Sequence, residues 1–206
     1  MSFPNVEVVS AVTGESIAVF EKDDFADASV KALKQRLAKQ IGVPRFRLRL
    51  LQDNSPLDED QTLAMQVVQL VRMEFLPPDM EQDRGIMVAC EESDGKLLEQ
   101  HLNQPRNPNF EDANGTTPLC TASLHGDLNC VSLLIEAGAN KDQGTTDHGI
   151  TALFVAARHG HLEVVRFLVE SGANKDQGKT DTGATPLYIA AQNGHLEVVR
   201  FLVESG

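Results

Sequence analysis

Histidine, cysteine and carboxylate side chains are the groups that could do chemistry in this chain, and their spacing decides whether they do. There are six His and three Cys. No two His stand four residues apart and nothing matches H-E-x-x-H, so a helical zinc site of that kind is not encoded. Cys90, Cys120 and Cys130 are odd in number and form no C-x-x-C pair. That argues against a zinc ribbon or a disulfide scaffold and for a reducing compartment. Gly-rich phosphate loops, nucleophile elbows and kinase signatures are also missing from the sequence. The residues predict no catalytic group, no metal ligand, no cofactor and no enzyme. What remains is recognition, and the elements that would position recognition residues come next.

Those elements repeat. The stretch from Thr151 to Gly172 recurs as Thr185 to Gly206, at an offset of 34 with 17 of 22 positions identical, and the same offset leads back to Thr117. Each unit reads as two short antiparallel helices. Thr117, Thr151 and Thr185 are N-cap candidates, and Pro118 and Pro186 follow at the first helical position, where a missing N–H costs nothing. Gly126, Gly160 and Gly194 end the first helix, as a left-handed backbone requires. Leu162, Val165, Leu168 and Val169 give the second helix one apolar face. Two helices of this size cannot enclose a core alone, so the units must stack into a solenoid.

The T-P-L, A-A, G-H-L-E-V-V and G-A-N pattern resembles the ankyrin repeat. The period exceeds the usual 33 by one, which places the extra residue in the polar return and reshapes the tip. The family's His after T-P-L is replaced by Cys120, Phe154 and Tyr188. The resemblance implies that His161 and His195 are structural and that inner-helix ends and return tips line a concave, protein-binding face. On that basis the binding candidates are Leu124, His125, Arg158, His159, Gln192 and Asn193 on the helices, with Asp147, His148, Asp181 and Thr182 at the tips. Residues 85–116 read as a degenerate capping repeat with acidic Glu91, Glu92, Asp94 and Glu99 outward. Residues 117–150 and 151–184 are full repeats, and 185–206 is incomplete. The apolar Leu196, Val199, Leu202 and Val203 at the far end predict a fragment, or a partner that covers this face.

The first 76 residues follow another pattern. Val6 to Ser10 and Ser16 to Phe20 are β-rich and joined through Thr13-Gly14-Glu15. Asp27 or Ser29 can cap a helix carrying Val30, Leu33, Leu37 and Ile41 inward, with Lys31, Lys34 and Lys39 outward. Arg45 to Leu51 alternates as a half-buried strand, and Val67 to Phe75 closes as the last one. The order, with G-V-P after the helix, R-L-L in the third strand and L-D-E-D-x-T-L before the last, resembles ubiquitin-like domains. That implies a β-grasp fold and an apolar binding patch formed by Val12, Leu51 and Val71, flanked by Arg47 and Arg49. The fold class is thus α+β: a ubiquitin-like β-grasp domain at 1–76, an acidic Pro-containing linker at 77–84, and an all-α ankyrin solenoid at 85–206.

Charge supports the division. The formal net charge is −12, made of −2 over residues 1–76, −6 over 77–112 and −4 over 113–206. Such a chain should repel nucleic acid and anionic membrane, yet residues 28–52 hold seven basic groups and no acid. This run either solvates a helix face or docks against acid. No apolar run approaches the ~18 residues of a membrane span, and the start lacks a signal peptide, so the location expected is cytoplasmic or nuclear. The function expected is a non-catalytic scaffold or adaptor, with a client protein on the array and ubiquitin-receptor or proteasome components on the ubiquitin-like domain. The alternative is the recognition region of a longer enzyme, such as a ubiquitin ligase, with its catalytic domain beyond residue 206. Client identity and oligomeric state are not encoded in these patterns.

Overall fold

A computed structural model describes residues 6–11, 15–20, 29–52, 55–59, 67–73 and 79–205. Two compact units, Met1–Phe75 and Leu76–Gly206, divide the chain.

In the first unit, strands β1 (Val6–Ser10), β2 (Ser16–Phe20), β3 (Leu48–Gln52), β4 (Ser55–Pro56) and β5 (Val67–Arg72) form one mixed sheet. Its order is β2-β1-β5-β3-β4, with β1 and β5 parallel and the other pairs antiparallel. Helix α1 (Val30–Ile41) begins where the Ser29 hydroxyl accepts from the Ala32 amide at 3.2 Å. It ends at Gly42, whose φ of 66° suits a residue without Cβ. Val30, Leu33 and Leu37 are fully buried against Val8, Phe20, Leu48, Leu50, Val68 and Leu70. The alternation of β3 and β5 therefore sends one face to the helix and leaves Arg49, Leu51, Gln69 and Val71 on the other.

Four sequence expectations change here. Arg45–Arg47 form a 3₁₀ turn, so the strand starts at Leu48 rather than Arg45. Arg45 is 1% exposed instead of facing water. Its guanidinium donates to Glu59 at 3.0 Å and lies 3.9 Å over the Phe46 ring. Lys34 also turns inward, because Glu59 accepts its ammonium as well; Lys39 is exposed as expected. Burial lowers the Lys34 pKa, and the Glu59 charge opposes that shift. The last strand ends at Arg72, and the Asp27, Thr13 and Gly14 expectations lie outside the described residues.

The second unit is built of helix pairs. They are α2 (Met80–Glu91) with α3 (Gly95–Leu102), and α4 (Pro118–His125) with α5 (Leu128–Glu136). Then come α6 (Ala152–His159) with α7 (Leu162–Glu170), and α8 (Pro186–Gln192) with α9 (Leu196–Glu204). Thr117, Thr151 and Thr185 cap the inner helices, accepting from the amides of Cys120, Phe154 and Tyr188 at 3.3, 3.2 and 3.2 Å. Small Ala122, Ala156, Ala157 and Ala190 are fully buried where inner helices meet. That close packing explains a core with almost no large aromatics.

The stretch read as a linker, 77–84, is helical from Met80 onward. Asp79 accepts from the Glu81 and Gln82 amides, and Glu81 and Asp83 sit in the first turn, where negative charge favours a helix start. The acidic run is thus a helix beginning, and the first pair starts before residue 85. Glu91, Glu92 and Asp94 are exposed as expected, while Glu99 is half-buried. Along α7, Val164, Val165 and Leu168 are buried and Leu162 and Val169 only half-buried. In α9, Leu196 and Val203 are 65% and 61% exposed, but Leu202 is 3% exposed and Val199 half-buried. Leu202 holds the position of Leu168 and packs inside its own repeat, so it does not belong to the exposed face.

The returns are closed by backbone pairs of unequal length. Asp112 N–H donates to Thr116 C=O, but Thr145 pairs with Ile150 and Lys179 with Ala184. The extra residue of the longer period thus widens the second and third tips. Successive tips are joined by Thr146 N–H to Gly115 C=O at 3.3 Å and Thr180 N–H to His148 C=O at 2.9 Å.

Burial of all three thiols has a consequence for pH. Burial pushes Cys90 and Cys120 above their ordinary value and Cys130 up to about 12, with the Asp127 carboxylate adding to the last. Their native pKa values exceed the unfolded ones, so the stability they contribute is fully present below the ordinary thiol value of 9.0. It is lost as pH rises from there toward the native values. We expect the array to lose about 1.4 kcal/mol per pH unit per thiol above that point. Urea denaturation followed by helical circular dichroism at neutral and alkaline pH checks this. A Cys130→Ala variant should show a shallower alkaline decline, and an equal slope would contradict the assignment.

Candidate functional site

The inner helices and the tips enclose a groove of about 920 Å³ in the third and fourth helix pairs. Ile150, Phe154, Tyr188 and Ile189 give it an apolar lining, with Arg158 and Lys179 among the polar residues at its sides. Phe154 is 4% exposed and Tyr188 57%, so one ring belongs to the core and the other stands in solvent.

The groove's shape depends on how each repeat grips the one before. His161 Nε2 lies 3.0 Å from the Leu124 carbonyl oxygen, and His195 Nε2 lies 2.9 Å from that of Arg158. Asn193 Nδ2 also donates to Arg158 C=O at 2.7 Å. These bonds use carbonyls at a helix C-terminus, which otherwise lack intrahelical partners. The histidine ring then covers a glycine. A Cβ on Gly126 or Gly160 would stand 2.5 Å from Nδ1 of His161 or His195. His161 and His195 are therefore clamps between repeats, and Arg158 leaves a turn whose backbone is held twice.

Of the residues expected to bind, Arg158, Thr182, Gln192 and Asn193 line the groove. Leu124, 44% exposed, and the exposed His125 lie on the preceding inner helix α4. His125 Nδ1 is 3.0 Å from Thr121 C=O. Asp147 and His148 are exposed on the wider tip. Asp181 bridges that tip to the next, at 3.2 Å from both His148 Nδ1 and Lys179 Nζ. Burial resists its charged form, but bonds from Lys179 and Thr182 and the neighbouring positive charge outweigh this and hold the carboxyl low. His159 is exposed, stacked 6.1 Å from the His161 ring. Partial burial and the Arg158 charge lower its pKa.

Sequence reasoning missed Phe154, Tyr188, Ile150, Ile189 and Lys179. A signal for three of them was present. The 22-residue repeats differ at Ala152/Pro186, Phe154/Tyr188, Val155/Ile189, Arg158/Gln192 and His159/Asn193, and all but the first of these pairs put a residue on the groove.

The family's inner-helix histidine has a partial substitute. Cys120 Sγ lies 3.5 Å from the Ile150 carbonyl oxygen, so a thiol makes one contact into the adjacent return. Among the described residues, no group of three His, Cys, Asp or Glu could hold a metal ion, and no helix is long and apolar enough to cross a membrane.

In the first unit, Leu51 pairs with Gln69 and Arg49 with Val71 across β3 and β5. Leu51 and Val71 are half-buried and Arg49 exposed on the face away from α1. Arg47 Nε donates to Met73 C=O at 2.9 Å. Val12 lies outside the described residues. Val19, 59% exposed, adds an apolar side chain that the sequence reading did not include.

No curated protein matches the chain. A family model described as ankyrin repeats (3 copies) matches residues 86–179 and 148–206. The matched segments run through the paired helices and grooves just described and cover more than half of the chain, which therefore belongs to the ankyrin-repeat family.

Proposed function

We propose that this protein is a non-catalytic interaction scaffold in the cytoplasm or nucleus. Its array holds a client protein on the inner groove, and its first unit is a ubiquitin-like β-grasp domain read by ubiquitin-pathway receptors. The observation that carries the first half is the solvent-open groove, where Arg158, Tyr188, Gln192 and Asn193 are exposed over an apolar floor. Interfaces gain affinity from aromatic and Arg anchors inside a polar rim.

The second half is supported by the sheet order β2-β1-β5-β3-β4 with one helix packed on one face. It is further supported by Leu51 and Val71 sharing the opposite face. Holding two partners on one chain raises their effective concentration for each other. Titrating the full chain with a purified ubiquitin-binding helix tests this part. Leu51→Asp is expected to abolish binding while leaving the circular dichroism spectrum unchanged. Unfolding of the variant would instead place Leu51 in the core, and undiminished binding would remove this face from the reading.

A further inference from the structure

The groove's own chemistry narrows its occupant. Among its lining residues the charged side chains are Arg158 and Lys179, and there is no carboxylate. That is a local reversal of sign in a chain of net charge −12. Lys179 is already paired with Asp181 on its own tip. The Arg158 guanidinium, by contrast, makes no ion pair among the described residues. Its backbone carbonyl is fixed by Asn193 and His195, so the side chain leaves from a defined point. Arg presents a planar fork suited to a carboxylate. Beside it, Tyr188 and Ile189 offer apolar contact area with a phenolic hydroxyl at the edge. The two outer helices, α7 and α9, are identical in sequence, L-E-V-V-R-F-L-V-E, while differences between the repeats collect on the groove. Such a distribution is expected where stacking constrains one helix and a ligand distinguishes the other.

We propose that the groove takes an extended peptide segment of the partner protein in which acidic side chains neighbour apolar ones. A carboxylate meets Arg158, and an aliphatic or aromatic side chain lies against Tyr188 and Ile189. This rests on the reading of the array as a protein-binding surface.

The test uses the intact chain as bait for a random-sequence peptide library displayed on phage, followed by titration of the selected synthetic peptides. Peptides pairing Asp or Glu with Leu, Ile or Phe are expected, with binding that weakens as salt rises. Arg158→Gln installs the residue that the next repeat carries at the same place, so folding should be retained. It and Tyr188→Ser should each weaken binding about tenfold. Basic or charge-indifferent peptides, or no response to either variant, overturn the proposal. If peptides instead depend on Leu124→Ser or His125→Ala, the acidic-peptide proposal fails while the inner-face reading stands. No enrichment, or dependence on the outer helices alone, defeats both.

Discussion

Glu59→Gln is expected to destabilise the first unit by about 3–5 kcal/mol, the cost of removing one partner from a buried ion pair. Glu59 meets two cations that the fold takes out of water, Lys34 and Arg45. The Lys34 and Arg45 side chains are 12% and 1% exposed. The backbone carbonyl of Glu59 also accepts from the Lys31 amide at 3.1 Å, which ties the segment to the first turn of α1. Gln keeps the shape but not the charge. Lys34 can relieve part of the penalty by losing its proton, since burial already lowers its pKa and Glu59 is what raises it. Arg45 has no such escape, because guanidinium does not deprotonate in proteins. Amide hydrogen exchange at Leu33, Leu37 and Leu50 is the appropriate readout, because these buried residues report on opening of this core. An effect below about 1 kcal/mol would place the cluster among ordinary surface pairs.

Gly160→Ala should cost the array about 2–4 kcal/mol, and Gly194→Ala only about 1–2 kcal/mol. Both glycines have left-handed backbones, with φ of 76° and 77°, so Ala meets similar conformational strain at each. Only Gly160 lies under a histidine ring, where the new Cβ would come within 2.5 Å of His195 Nδ1; Gly194 has nothing described within 4 Å. The difference measures the clamp between repeats. In a His195→Ala background, Gly160→Ala should cost no more than Gly194→Ala, a double-mutant cycle that separates the clash from the strain. Equal costs for the two glycines in the parent chain would contradict the clamp.

These two sites show where the sequence is legible and where it is not. The helix pairs could be read because Thr, Pro and Gly recur at positions where the backbone demands a cap or a left-handed turn, and identical spacing repeats the message. Asp79 to Asp83 carried the same kind of information. A cluster of charges looks like solvated linker, however, until one asks which amides it can cap. Arg45 was hidden for a different reason. Period-two alternation says which way a strand residue points, but Arg45 sits in a 3₁₀ turn and its partner Glu59 is 14 positions away. Pairwise burial of charge leaves no periodic trace.

The groove was half legible. Arg158/Gln192 and His159/Asn193 drew attention as differences between near-identical units, yet Phe154/Tyr188 and Val155/Ile189 were differences of the same kind. They do not stand out in the sequence, because each swap conserves size and largely conserves apolar character. Only the structure separates a Phe that is 4% exposed from a Tyr that is 57% exposed.

The most direct test of the inner groove as the recognition surface is a hydrogen-exchange footprint of the intact chain with and without a selected peptide. Protection is expected over 154–159, 179–184 and 188–193, with α7 and α9 unchanged. Protection confined to the outer helices 162–170 and 196–204 would contradict it.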